Sequence, residues 1–467
     1  MESRDTNQRS LLLVSCYELG HQPAGIAMPA GFLRREGYEA EALDVSVEGF
    51  DPAKVERAGF IGISVPMHTA LRLGVRVGRE AQTINPAAHI CFYGLYASLN
   101  AGYLLDTVAD SIIGGEFEAP LVALIKALAE RTDIASIEGV STRRRRAAPV
   151  LARLPFAIPD RSALPPLDRY AMLDIQGEQR LAGYVEASRG CLHHCTHCPI
   201  PPVYNGRFFV VPADVVLEDV RRLVAAGARH ITFGDPDFLN GPGHSLRIVQ
   251  ALHDEFPHLT YDFTAKIEHV LKNRALLPEF SRLGCIFTIS AVESLSDVVL
   301  SHLEKGHTRA DVVEALRLLR SARIVLRPSF VSFTPWTTLD DYIDVLEFVE
   351  AEGLIDHVDP VQFAIRLLVP PGSVLLSRAD TRRWIGPLVQ ETFTYKWAHP
   401  DPRMDELHRE VTELVENAVA SKEDAVATFY RIRDLAYAAR GGESRARALS
   451  LSPLRVRPPR LTEAWFC

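Results

Sequence analysis

Apolar residues recur along the first third of the chain in short blocks separated by amphipathic stretches. Residues 11–16, 39–44, 60–65, 90–93 and 111–113 read as strands, and residues 60–65 form a continuous apolar run, as a strand buried on both faces does. Between them, residues 26–36, 69–82 and 119–129 carry helical spacing. This alternation predicts a doubly wound parallel sheet, whose ligands sit at the carboxyl ends of the strands. Those ends are residues 17–25, 65–69, 94–100 and 114–118. The pattern then lapses. Residues 131–180 hold the basic run Arg143 to Arg146 and five prolines (Pro149, Pro155, Pro159, Pro165, Pro166), which reads as a solvated linker. From 181 a second series begins, with strands expected at 182–188, 230–233, 260–264, 286–291, 325–330 and 360–365. Helical stretches at 215–226, 245–255, 309–322 and 339–352 separate them. Six β–α units of this length predict a partial (βα)6 barrel of TIM type, occupying 181–375. The remainder, 376–467, is read as a helical extension and tail, with helices at 404–418 and 424–440.

Composition narrows the classes of function. The 467 residues are 47% hydrophobic and 24% charged, with a net charge of −8, which gives no reason to expect a nucleic-acid partner. No apolar stretch reaches the roughly 20 residues a membrane span needs, and the first ten residues are polar. The expectation is a cytoplasmic protein with no membrane partner. Three of the seven cysteines fall within eight residues, which is no disulfide framework; a reducing compartment leaves such thiols free for metal.

Those three are Cys191, Cys195 and Cys198, spaced C-x3-C-x2-C in the segment 190–199. Three thiolates on one loop can hold three irons of a cubane cluster, leaving the fourth iron open to an exogenous ligand. The other chemistry open to them is a structural zinc site completed by His193, His194 or His197, although zinc sites usually bring a second separated ligand pair. The loop follows the first strand of the expected barrel, on the face where barrel enzymes place their chemistry.

C-x3-C-x2-C after the first strand of a partial α/β barrel resembles the radical S-adenosylmethionine (SAM) superfamily. The resemblance implies a 4Fe–4S cluster, SAM bound at its open iron, and reductive cleavage of SAM to a radical that attacks a small-molecule substrate. It further implies an electron donor such as flavodoxin or ferredoxin. It extends to the turn Gly234-Asp235-Pro236-Asp237, where the family meets the SAM amino group, although no Gly-Gly-Glu stands here. Ser290 to Ser294 resembles the family's fourth-strand signature, so Ser290 and Glu293 are expected at the SAM ribose or methionine moiety. Arg327 on the fifth strand is expected at the SAM carboxylate, and residues 365–371 resemble the segment beside the adenine. His197 replaces the aromatic residue that usually precedes the third cysteine, and is expected to stack near the adenine. Taken singly, each has a plainer alternative: Asp235 and Asp237 as turn caps, Glu293 as a capping or solvated carboxylate, Arg327 as an ordinary ion pair.

A doubly wound domain ahead of such a barrel resembles the cobalamin (B12)-binding arrangement, here on Gly37-Tyr38, Asp44 and Gly114-Gly115-Glu116-Phe117-Glu118. It implies cobalamin as a third cofactor and methyl transfer, or another SAM-derived radical transfer, as the reaction. No Asp-x-His-x-x-Gly motif supplies a cobalt ligand, and His21, His68 and His89 stand without that context. The ending Trp465-Phe466-Cys467 resembles a radical SAM group whose tails carry Cys-Sec-Ala-Glu-Pro or Cys-Cys-Ala-Glu-Pro. That resemblance implies a catalytic thiol at Cys467 and a chain continuing through selenocysteine. The competing function is a non-catalytic cobalamin- or metal-binding sensor with a zinc or iron–sulfur loop.

Overall fold

The computed structural model describes residues 10–442 and 455–463. The first sheet is formed by β1 (Ser10–Ser15), β2 (Ala40–Asp44), β3 (Ala58–Ser64), β4 (His89–Tyr93), β5 (Ser111–Ile113) and β6 (Val140–Thr142), in the order β2-β1-β3-β4-β5-β6. All pairings are parallel except β5 with β6. Leu13, Ile61, Ile63 and Phe92 are fully buried because helices cover both faces, which is why these strands read as unbroken apolar runs.

The stretch 131–180 contributes β6 to this sheet and β7 (Met172–Ile175) to the next. The barrel strands follow: β8 (Glu178–Val185), the short hairpin β9 (Ser188–Gly190) with β10 (Phe208–Val210), then β11 (His230–Phe233), β12 (Thr260–Thr264), β13 (Cys285–Glu293) and β14 (Val325–Phe330). Neighbouring strands from β8 through β14 are parallel, and β7 runs antiparallel to β8. Rings of Phe233, Phe238 and Phe263 stack in the core beneath them.

The strand expected at 360–365 does not form. Pro360–Ala364 is a 3-10 turn. Pro360 brings no N–H, and Gln362 turns its side-chain oxygen onto the Phe330 N–H at 3.1 Å. Parallel contact appears only beyond it, where Phe333 N donates to Ile365 O and Leu367 N to Phe333 O. The sixth stave is one bridge.

The extension is not all helical. It holds an antiparallel pair, β15 (Ile385–Val389) with β16 (Thr394–Trp397), before helices Pro402–Ser421 and Ala425–Arg440. The last described segment returns to the barrel as β17 (Arg460–Leu461), antiparallel to β7, giving the order β14-β13-β12-β11-β8-β7-β17. Arg327 on β14 reaches Pro459 O at 3.5 Å, so the C-terminal segment lies between the two edges of the curled sheet.

Candidate active site

The cysteine loop is fixed at both ends by backbone. Gly190 has φ +73°, and a Cβ there would stand 2.4 Å from Arg207 O, so only glycine fits. Cys191 N donates to that same carbonyl at 3.1 Å. Further on, Cys198 N donates to Cys195 O at 3.1 Å, while Thr196 N and Oγ1 bond Leu303 O and His302 O. The His193 backbone N–H and the Asn240 amide face the Cys191 sulfur, and the Ile200 N–H faces that of Cys198. Burial pushes the Cys198 thiol up to about 12, and the neighbouring cysteines add to this. A buried sulfur ringed by N–H donors is served by a cation that replaces its proton, and the loop fits an iron cluster on that ground. His193 and His197 are engaged elsewhere, by Lys266 and by Glu293, and do not make up a zinc set with the cysteines.

Asp237 and Glu293 meet the loop through His193 and His197, Asp235 meets the turn leading into it, and Ser290 and Arg327 lie deeper in the barrel; each has a protein partner. Asp235 is buried and accepts from Ala187 N at 2.9 Å and from Ser188 Oγ, which ties β11 to the turn entering β9; burial pushes its carboxyl up to about 7. Asp237 caps the next turn through Leu239 N at 3.0 Å. Burial would raise its carboxyl, but His193 and His269 outweigh this and hold it below the ordinary value. Ser290 Oγ donates to Ala265 O at 2.6 Å. Glu293 sits at φ +65° and accepts from Lys305 Nζ at 3.1 Å and His197 Nε2 at 3.2 Å. Burial works against its charge, yet Lys305 and His197 hold its carboxyl far below the usual range. Arg327 points into the barrel and pairs with Asp359 at 3.1 Å; burial lowers its pKa. Gly234 is where Tyr184 crosses the strand end: a Cβ there would meet the Tyr184 ring at 2.0 Å. Cys467 lies outside the described residues.

Two cavities adjoin at this end of the barrel. One, of about 210 Å³, occupies the barrel interior between Phe233, Ile289, Arg327 and, from the C-terminal segment, Leu461 and Glu463. The other, of about 260 Å³, lies between the carboxyl edge of the first sheet and the barrel, and Gly25, Gly94, Gly115, Gly190 and Gly234 line it. Five glycines in the walls of a cavity at the carboxyl edge of a doubly wound sheet let the backbone approach a broad, flat cofactor closely. The cavities share Leu19, His21, Tyr184, Gly234 and Pro236. His21 stacks on Tyr184 with ring centroids 4.6 Å apart, and burial drops its pKa to about 4, so the ring is neutral. His68 bonds Thr392 O and His89 bonds Ser111 Oγ; neither lines these two cavities. Tyr184, Lys305 and His21 were not legible as site residues, since their importance lies in which distant strand end each meets.

The motif 114–118 joins the two halves. Arg189, two residues before Cys191, pairs with Glu116 at 3.4 Å, Glu118 at 2.5 Å and Glu186 at 2.8 Å. Its guanidinium lies between the rings of Phe117 and Phe156, and Tyr204 donates to Glu116 at 3.0 Å.

A three-cysteine loop at the end of an open barrel, joined to the ligand edge of a doubly wound sheet, defines a protein with two candidate cofactor sites side by side. The family model of the radical SAM superfamily matches residues 185–349, and that of the B12 binding domain matches 10–125. The chain carries a radical SAM domain and, ahead of it, a B12-binding domain, and these domains imply a 4Fe–4S cluster, SAM and cobalamin. It is 24% identical over 324 residues to the hopanoid C-3 methylase of Methylococcus capsulatus, covering 68% of this chain and 62% of that one. With the anaerobic magnesium-protoporphyrin IX monomethyl ester cyclase of Synechocystis it shares 22% identity over 295 residues, 62% of this chain and 56% of the cyclase. The chain thus spans about three fifths of the length of these relatives. Among solved structures, the cobalamin-dependent SAM radical enzyme OxsB with aqua-cobalamin aligns with a TM-score of 0.71 at 17% identity, over 88% of this chain and 67% of OxsB. The radical SAM methyltransferase TsrM from Kitasatospora setae aligns at 0.59 and 18% identity, over 74% of this chain and 71% of TsrM. No helix among the described residues is long and apolar enough to cross a membrane.

Proposed function

We propose that the protein is a cobalamin-dependent radical SAM methyltransferase acting on a small molecule held in the barrel cavity. The observation that carries this reading is the neck at His21, Tyr184 and Gly234, through which a glycine-lined cavity suited to a corrin adjoins the barrel interior. Cys191, Cys195 and Cys198 would hold the cluster, and when reduced it supplies the electron that splits a carbon–sulfur bond of SAM. The chain's own groups prepare that event. Lys305, buried beside Cys195 and Cys198, places a positive charge near an electron-rich cluster. Glu293 and Arg327 are the charged groups offered to SAM, and Asp235 and Ser290 act as positioning residues that fix the strand ends. Asp237 and His197 hold the loop, and Phe233 and Ile289 exclude water from the acceptor. The reading includes the Cys467 thiol as a reactant. The electron donor is a flavodoxin or ferredoxin, and the compartment is the cytoplasm.

Anaerobic reconstitution tests the reading. The expected holoprotein is brown, holds four irons and one cobalt per chain, and converts SAM to 5′-deoxyadenosine and S-adenosylhomocysteine under reductant. A colourless zinc protein, or cobalt binding without SAM turnover, would establish the sensor instead.

A further inference from the structure

Beside the cysteine loop stands a second set of metal-binding atoms that the proposed reaction does not use. His193 Nε2, Asp237 Oδ2 and His269 Nδ1 all lie within 4.8 Å of one another. They come from three separate places: the cysteine loop, the turn after β11, and the helix Ile267–Lys272. Asp237 is completely buried and His269 is 7% exposed. Both imidazole nitrogens are shut off from solvent without a hydrogen-bond partner. His269 Nδ1 is 2.8 Å from Asp237 Oδ2 and His193 Nε2 is 3.6 Å from it, but neither is aligned to donate to it. Two imidazole nitrogens that attract one carboxylate oxygen this closely, yet with poor hydrogen-bond alignment, are arranged around a common point. Ligands bound at about 2.0–2.1 Å on a tetrahedral zinc ion stand about 3.3 Å apart, the middle of the spacing seen here.

The surroundings suit that role. Asp237 Oδ1 is taken by Leu239 N, while Oδ2 accepts only a long hydrogen bond from Lys266 N at 3.5 Å and keeps a lone pair for the cation. Lys266 Nζ stands 3.0 Å from His193 Nδ1 and 3.3 Å from Glu268 Oε2, and that oxygen is 3.7 Å from His193 Nδ1. With a cation on Nε2, the ring proton of His193 moves to Nδ1; Lys266 must then swing off that nitrogen while keeping its ion pair with Glu268, whose carboxylate moves in from 3.7 Å to accept the proton's hydrogen bond. A carboxylate behind a ligating imidazole is the usual support of such a ligand. Two imidazoles and one carboxylate are donors of borderline softness, suited to late first-row divalent ions.

We propose that His193, Asp237 and His269 bind one Zn²⁺ ion, completed by water, at a structural site distinct from the three-cysteine loop. The ion staples that loop to the β11 turn and to the helix after β12. The site does not depend on what reaction the barrel performs.

Zinc analysis of the anaerobically reconstituted full-length protein tests it directly. The holoprotein is expected to hold about one zinc beside its iron. His269→Gln should lose the zinc and keep the iron. Co²⁺ titration of the Cys191→Ser/Cys195→Ser/Cys198→Ser variant separates the two sites. One equivalent should bind with visible ligand-field bands and no thiolate charge-transfer band, and Zn²⁺ should displace it. Adding His269→Gln should remove these bands, and Glu268→Gln, on a partly exposed residue, should weaken Co²⁺ binding by roughly tenfold. Addition of Zn²⁺ should raise the melting temperature of the triple-serine protein but not of its His269→Gln derivative. The site is overturned if the triple-serine protein takes up no Co²⁺, if uptake is indifferent to His269→Gln, or if the holoprotein carries no zinc. In any of those cases Lys266 is the only cation that His193 meets.

Discussion

Glu293 illustrates how much one position can carry. A non-glycine residue at φ +65° on a strand end is strained, and its carboxylate is buried as well. Lys305, itself 3% exposed, makes the arrangement tolerable through a 3.1 Å ion pair. Replacing Lys305 by methionine leaves a buried carboxylate with only His197, and should cost about 3–5 kcal/mol in urea unfolding at neutral pH. The pH dependence has a definite sign. The folded carboxyl titrates below its ordinary value, so its contribution is whole above about pH 4.3 and is lost as the pH falls from there. The acid limb of the stability profile should therefore be shallower in Lys305→Met than in the unaltered protein; an identical limb would refute the assignment. Gly234 poses a steric case. Gly234→Ala drives a methyl group into Tyr184, and overpacking of this kind costs about 1–3 kcal/mol. In a double-mutant cycle Tyr184→Ala should cancel most of that loss, whereas additive effects would mean the contact is not what excludes a side chain.

At the scale of elements, legibility followed periodicity. The apolar runs of β1, β3 and β4 announce buried parallel strands because both faces are covered, and the structure places them within a residue or two of their expected bounds. The cysteine spacing is legible for the same local reason: its ligands lie within one loop. What escaped was non-local. Residues 360–365 looked like a sixth strand by composition, but Pro360 and the Gln362 side chain divert them into a 3-10 turn. Strands β7 and β17 are only four and two residues long, and their pairing joins positions nearly three hundred residues apart, which no window of sequence detects. The partners of Asp235 and Ser290 escaped likewise, since each is a backbone or hydroxyl group brought in by another strand. The C-terminal strand makes a checkable claim. Arg455 is gripped by Asp356 and Asp424, Arg457 by Asp424, and Met172 N donates to Thr462 Oγ1 at 2.9 Å. A chain ended after Gly442 should show amide exchange at Met172 faster by roughly tenfold or more, while exchange in β3 and β4 stays unchanged. Equal protection in both forms would mean that the segment merely rests on the barrel.

Across the whole molecule, the two domains are coupled where Arg189 meets three carboxylates. One guanidinium cannot neutralise Glu116, Glu118 and Glu186 together, and Glu116 and Glu118 are 0% exposed. Burial accordingly pushes the Glu116 carboxyl up to about 7, against the pull of Arg189. A carboxyl raised on folding contributes its full stability below its unfolded value, near pH 4.3, and loses it as the pH climbs towards 7. Over that window the interface should weaken by about 1.4 kcal/mol per pH unit. Glu116→Gln keeps the shape and removes this titration, so its unfolding free energy should decline less steeply over that window than that of the unaltered protein, in which Asp235 also titrates. The arginine is the more severe test. Arg189→Met abandons two buried carboxylates between the domains and should cost about 3–5 kcal/mol, with faster proteolysis in the stretch 131–180 that spans them. If the cost comes from stranded charge, adding Glu118→Gln to Arg189→Met must recover part of it. If the guanidinium matters chiefly by packing between Phe117 and Phe156, the second substitution recovers nothing. Since Arg189 stands two residues from Cys191, the first outcome makes the charge balance of the B12-binding domain a determinant of how the cluster loop is held.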